Sequence, residues 1–199
     1  MMKTFEEVVR FHGHACPGLA FGFRVAEATL TTLGDRAQDE ELVAIVENRS
    51  CAVDAIQAVC GCTLGKGNLV VRDYGKQVYT FLKRPDGAGI RISVIWNGPT
   101  EDAATTALWQ QFFKGDRTPE VMRGIRAAKG RKMQAILKAE LNELFEIREI
   151  QETLPEAARV WPSIRCAACG EKTMEPMIQT VAEQPLCIPC AEANKHPTR

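Results

Sequence analysis

At 199 residues, 45% hydrophobic and 25% charged, the chain has the composition of a globular protein, with room for one substantial core and a small appendage. Its 25 basic and 25 acidic residues cancel to a formal net charge of +0, which removes any global electrostatic pull toward nucleic acid or an anionic membrane. No apolar run approaches the roughly 20 residues that span a bilayer, and Met1 to Phe11 carries scattered charges instead of an apolar signal core, so the expected location is the cytoplasm.

The first predicted helix opens at Pro17-Gly18, where a residue without an N–H costs nothing. Leu19, Phe23, Ala26, Leu30 and Leu33 recur at spacings of four and three, and Gly34-Asp35 ends the helix. Leu42 to Val46 reads as a buried strand. A short helix follows, with Val53, Ile56 and Val59 on one face and Gly61 at its end. Leu69 to Arg72, Gln77 to Lys83 and Ile90 to Trp96 read as three strands, joined by turns at Tyr74-Gly75-Lys76 and Pro85-Asp86-Gly87. The expectation is an antiparallel meander with helices packed on it, an α+β fold. From Pro119 to Gln151 a 3–4 spacing of Met122, Ile125, Met133, Ile136, Leu137, Leu141, Leu144 and Phe145 predicts one long linking helix. Its apolar stripe exceeds what a small core covers, which predicts a homodimer. Pro155 and Pro162 bracket a linker, dividing a core domain of residues 1–160 from a small domain of residues 161–199. The latter is too short to build a core without a metal.

All eight cysteines fall in two clusters. In a reducing compartment such clusters read as metal ligands before disulfides. Cys166-Ala-Ala-Cys169 and Cys187-Ile-Pro-Cys190 form a paired CxxC signature, in which each tight turn aims two sulfurs at one ion. Four thiolates suit tetrahedral zinc. The order knuckle, hairpin, helix gives a small treble-clef-like zinc finger, read as a stabilising or contact module. Its basic residues Arg165, Lys172, Lys195 and Arg199 are matched by Glu171, Glu175, Glu183 and Glu192, so it carries no basic patch and nucleic acid is not the expected partner.

The second cluster starts at His12, His14 and Cys16, spaced i, i+2, i+4, which in an extended segment project to one face. Cys16 precedes the helix opened by Pro17, where the helix N-terminus favours a thiolate. Cys51 precedes a second helix start with Asp54 in its first turn, and Cys60-Gly61-Cys62 ends that helix. The expected core pocket joins His14, Cys16, Cys51 and Cys62 around a second transition metal: zinc, nickel, iron or copper on donor chemistry. His12 is expected either as a ligand or as a hydrogen-bonding partner beside the site. Cys60 is read as a small buried hydrophobe. Thr63 to Asn68 is glycine-rich but lacks the phosphate-loop pattern and follows a helix, so it is read as a turn lining the pocket, with Lys66 as an anion contact.

Several of these runs, in order, resemble the FmdE family, associated with formylmethanofuran dehydrogenase. They are Phe11-His-Gly-His-Ala-Cys-Pro-Gly-Leu-Ala20 with Gly22 and Arg24, then Glu47-Asn-Arg-Ser-Cys51 and Asp54-Ala-Ile-Gln57. Gly61-Cys-Thr-Leu-Gly-Lys-Gly-Asn-Leu69 and Asp73-Tyr-Gly-Lys76 complete them. The resemblance covers most of residues 5 to 96. It implies an α+β core with a metal-binding cleft, a dimer, an auxiliary finger, and association with one-carbon metabolism and molybdenum or tungsten enzymes. Carried over by position, His14, Cys16, Cys51 and Cys62 are its pocket residues. Cys60 departs from the family's threonine at that place.

Three readings follow. The first is a metal-binding accessory subunit of a molybdenum or tungsten dehydrogenase, with a structural zinc in the finger. The second is a stand-alone enzyme using a pocket metal, or a thiol at Cys16 or Cys62. The third is a regulator that binds nucleic acid through the zinc finger, with the basic cluster from Arg117 to Lys132 on the long helix in support.

Overall fold

The computed structural model describes residues 2–195 and divides into two compact units, Met1–Ala157 and Ala158–Arg199. The larger unit runs α1 (Phe5–His12), α2 (Pro17–Leu33), β1 (Leu42–Val46), α3 (Cys51–Cys60), β2 (Leu69–Val71), β3 (Val78–Lys83) and β4 (Ala88–Val94). It continues with α4 (Ala103–Phe113), α5 (Pro119–Lys138), α6 (Leu141–Leu144) and β5 (Phe145–Gln151). The fold is α+β, and among the described residues no helix is long and apolar enough to cross a membrane.

The sheet is not the simple meander that the sequence predicts. Its order is β2-β1-β3-β4-β5, with β2 on the edge and parallel to β1. The remaining neighbours are antiparallel. The α3 crossover explains the difference: a helix between two strands returns the chain to the same end, which sets them parallel. Tyr79, Phe81, Ile90 and Ile92 of the sheet share one core with Leu19 and Val25 of α2, Ile56 and Val59 of α3, and Ile136 of α5. Each such side chain contributes about 1.5–3 kcal/mol when fully buried. The α2–α3 contact is backbone-close, because a Cβ at Gly22 would run into the Ala52 carbonyl. Glycine is what lets these two helix starts lie side by side.

Two short elements lie outside the sequence-based prediction. Helix α1 begins with a capping box: Glu7 N–H donates to Thr4 Oγ1 at 3.3 Å and Thr4 N–H donates to Glu7 Oε2 at 2.7 Å. Helix α4 is capped by Asp102, whose carboxylate accepts from Thr105 N–H at 2.7 Å.

The long helix is also shorter than predicted. It stops at Lys138, and residues 145–151 form β5 against β4, with Ala88 opposite Gln151 and Val94 opposite Phe145. The stop comes from a distant side chain. The Arg24 guanidinium donates to Leu137 O and Ala139 O, both at 2.7 Å, so it satisfies carbonyls that a continuing helix would have used.

The smaller unit contains β6 (Ser163–Arg165), β7 (Lys172–Met174), a 3₁₀ turn (Glu175–Met177), β8 (Ile178–Val181), β9 (Gln184–Cys187) and α7 (Ile188–Lys195). Two hairpins, β6–β7 and β8–β9, precede the helix. Its core is Cys166, Leu186, Cys187 and Ala191. One leucine and one alanine beside two cysteines are a small core against an ordering cost of about 1–2 kcal/mol per residue. Of the finger's expected charges, Arg199 lies outside the described residues.

Candidate metal centres

The core cluster is built where three helices meet. His12 is the last residue of α1, and Gly13, in the left-handed conformation at φ 95°, turns the chain out of it. Cys16 is the N-cap of α2, and its Sγ accepts from Leu19 N–H at 3.4 Å. Cys51 is the first residue of α3, behind the Ser50 cap. Gly18 lies beside this meeting: a Cβ there would make ordinary contacts, 3.4 Å from Cys51 Cβ and 4.0 Å from Cys16 Sγ. One donor atom from each of His12, His14, Cys16 and Cys51 falls within 4.8 Å of the others. Ligands on a tetrahedral zinc lie roughly 3.3–3.8 Å apart, given bonds of about 2.0–2.3 Å, so a small contraction suffices.

The orientation of His12 argues for a metal independently. Its Nδ1 is 2.7 Å from Asp54 Oδ2, which fixes the ring. Its Nε2 is buried and has no hydrogen-bond partner. A buried imidazole nitrogen left unpaired costs free energy, and a metal there would satisfy it, with Asp54 in the supporting place that carboxylates take behind histidine ligands. Burial, and then the neighbouring Cys16 sulfur, push the Cys51 thiol up from its ordinary range. A bound cation reverses that preference by stabilising the thiolate. Beside the cluster lies a cleft of 390 Å³, whose lining includes His12, Cys51, Arg49 and Asn48.

Two expectations about this pocket are corrected. Cys62 is not part of it. Its Sγ donates to Leu42 O at 3.3 Å inside the core, and burial pushes its thiol up to about 12, so it is held as a neutral thiol. Lys66 does not reach it either, because its Nζ donates to Asp39 O at 2.7 Å and Gln38 O at 3.3 Å. The place assigned to Cys62 is taken by His12. The signal was present in the i, i+2, i+4 spacing of His12, His14 and Cys16, and in Asp54 one turn into α3. Cys60 is fully buried in the core.

In the smaller unit Cys166, Cys169, Cys187 and Cys190 converge, again with all four sulfurs within 4.8 Å. Cys166 and Cys169 sit on the turn between β6 and β7, where Gly170 N–H donates to Cys166 O at 2.9 Å with Gly170 at φ 76°. Ala167 N–H donates to Pro185 O at 2.8 Å and Cys187 N–H to Cys166 Sγ at 3.3 Å, tying the two pairs together. The backbone N–H groups of Cys169 and Cys187 hold the Cys166 thiol down to about 6. Hydrogen bonding to the other three sulfurs pushes Cys190 up to about 12. Such a set shares its protons unevenly, and an incoming cation displaces them.

Both halves of the chain match known families. Residues 11–146 match the FmdE family, described as FmdE, molybdenum formylmethanofuran dehydrogenase operon. Residues 162–196 match the prokaryotic dksA/traR C4-type zinc finger. A relative from Archaeoglobus fulgidus, named as a probable S-adenosyl-L-methionine-binding protein, is 30% identical over 194 aligned positions; these cover 91% of this chain but 50% of the relative's length. A crystal structure of a tungsten formylmethanofuran dehydrogenase FmdE-like protein from Syntrophus aciditrophicus shares the fold. Its TM-score is 0.57 at 23% identity, covering 99% of this chain and 96% of that one.

Proposed function

This chain belongs to the FmdE family, and we propose on that premise that it is a metal-binding accessory subunit of a molybdenum or tungsten dehydrogenase of the formylmethanofuran type, acting in one-carbon metabolism. Its core cluster holds a catalytic-type or sensing transition metal through His12, His14, Cys16 and Cys51. Its finger holds a structural zinc through Cys166, Cys169, Cys187 and Cys190. The observation that carries the core site is the buried, unpartnered Nε2 of His12, on a ring braced by Asp54 and grouped with two thiols and a second imidazole. Mixed imidazole and thiolate donors suit zinc best, with nickel and iron sharing the preference. All eight cysteines are free thiols, which suits the reducing cytoplasm as location.

The test is metal content per chain, measured on protein purified without oxygen or chelator. One metal should vanish in Cys16→Ser and another in Cys166→Ser/Cys169→Ser, with the core fold retained in both. A single metal, lost only in the finger variant, would overturn the core assignment and leave Cys16 and Cys51 as a thiol pair for covalent chemistry.

We also propose a homodimer. Residues 117–138 carry seven cations against one acid, and residues 140–156 carry six acids against one cation. A neutral chain split in this way is complementary to a second copy of itself: basic α5 of one protomer suits the acidic segment 140–156, which includes β5, of the other in a twofold arrangement. The strand β5 is a sheet edge, and Phe113 on α4, 78% exposed, offers an apolar anchor. Light scattering at micromolar concentration should give twice the chain mass, falling to one on Glu146→Lys/Glu149→Lys. A monomer in the wild type, or steeply salt-dependent DNA binding lost on neutralising α5, would assign the basic face to another partner.

A further inference from the structure

The four donors of the core cluster are not held alike. His12 is pinned by Asp54 at 2.7 Å, and its side chain is 10% exposed. Cys16 is pinned as the N-cap of α2 by the 3.4 Å contact from Leu19 N–H. Cys51 is set by α3, whose start packs against α2 at Gly18 and Gly22. His14 has no such support. It lies in the exposed link Gly13-His14-Ala15 between α1 and α2, and no hydrogen bond among the described residues fixes its ring. Its ring touches that of His12, at 4.4 Å between centroids. Gly13 is held to α1 by its N–H bond to Val9 O at 2.8 Å, and a Cβ there would meet nothing within 4 Å, so the space beside the link is open.

We infer that His14 is the exchangeable ligand of the core site, giving way to a small anionic donor from solvent while His12, Cys16 and Cys51 keep the metal. This rests on the metal reading above. Ligand exchange separates a working metal site, which keeps three fixed protein donors and one open position, from a closed structural one. The anionic class follows from the setting. Cys16 and Cys51 sit at the N-termini of α2 and α3, so two helix dipoles converge with their positive ends on this point. Arg49, on the adjoining cleft, is paired with Asp73 at 3.2 Å and Asp54 lines the same cleft, so the helix termini carry the preference for an anion. Releasing His14 costs little packing, because the residue is exposed.

The test uses the full chain loaded with cobalt(II), with azide as the probe. The finger's four thiolates leave no open position, so an azide-induced change in the cobalt bands reports the core site. Two cobalt ions per chain are expected in the wild type and in His14→Ala, and one in His12→Ala. Azide should shift the bands saturably in both, binding at least about tenfold more tightly to His14→Ala, where no internal ligand competes. Loss of one cobalt in His14→Ala would overturn the inference, since His14 would then be needed to hold the metal. So would a wild type that fails to respond at azide levels about 100-fold above the variant's Kd, because an internal ligand that firmly held does not exchange. A wild type with one cobalt, lost in Cys166→Ser/Cys169→Ser, would instead sink the metal reading itself and this inference with it.

Discussion

The two clusters look alike on paper, each with four donor atoms inside 4.8 Å, yet they stand in opposite relation to the fold. In the finger the clustered cysteines are half of the core: Cys166 and Cys187 are two of its four buried residues. In the larger unit the clustered donors lie at the margin of a core that stands without them, built on Tyr79, Phe81, Ile56 and Ile136. On the proposed reading, one metal would make its structure, whereas the other would be received by a structure already made. A closed site that creates its fold gains nothing from ligand exchange. A site carried on a finished scaffold is free to exchange a ligand.

The strongest way to break this contrast is to remove a finger ligand. Cys187→Ser, or stripping by chelator, should abolish the ordered finger altogether, since structural zinc supplies about 10–16 kcal/mol of apparent folding free energy in such modules. Amide exchange should show β6 to α7 unprotected while β1, β3 and α2 keep full protection. If the two units lose protection together, the independence drawn above is wrong.

A smaller effect sharpens the other side. Asp54→Asn should leave the larger unit folded, because Asp54 is 40% exposed and its main partner is His12. It should weaken the core metal by about 10–100-fold, the usual consequence of removing a carboxylate behind a histidine ligand. Competition against a chelator of known affinity measures this. Unchanged affinity would mean that His12 does not bind through Nε2.

The same contrast governs how much of the molecule is legible in its sequence. The finger is legible because its chemistry is local: two CxxC pairs, spaced 18 residues from Cys169 to Cys187, declare their geometry without help from the fold. Helix α2 is legible because Pro17 and Gly34 punctuate it. What escapes is set at long range. Helix α5 ends where Arg24, 113 residues earlier, takes the carbonyl of Leu137, and the segment after it becomes a strand because β4 has a free edge. Within residues 141–145 alone, Leu141, Leu144 and Phe145 fit a helix, and nothing local says otherwise. The core site falls between these cases. The sequence groups His14, Cys16 and Cys51, which the fold does bring together, while the place of His12 beside them depends on how α1 and α3 pack.

The exchange of Cys62 for His12 provides the finest test. Sequence proximity to Cys60 and Gly61 puts Cys62 in the pocket, whereas the fold turns its thiol inward to Leu42 O, 3.3 Å away and fully buried. Desolvation raises that thiol to about 12, and its place in the core keeps it apart from the donors gathered at His12, His14, Cys16 and Cys51. Cys62→Ala should therefore leave the metal content of both sites unchanged. It should lower stability by about 1 kcal/mol, from one weak hydrogen bond and a small void. Denaturant unfolding reads the stability and metal analysis reads the sites. Should Cys62→Ala lose the core metal while His12→Ala keeps it, the roles of the two residues would be reversed, and α3 would bind its metal from its C-terminal end.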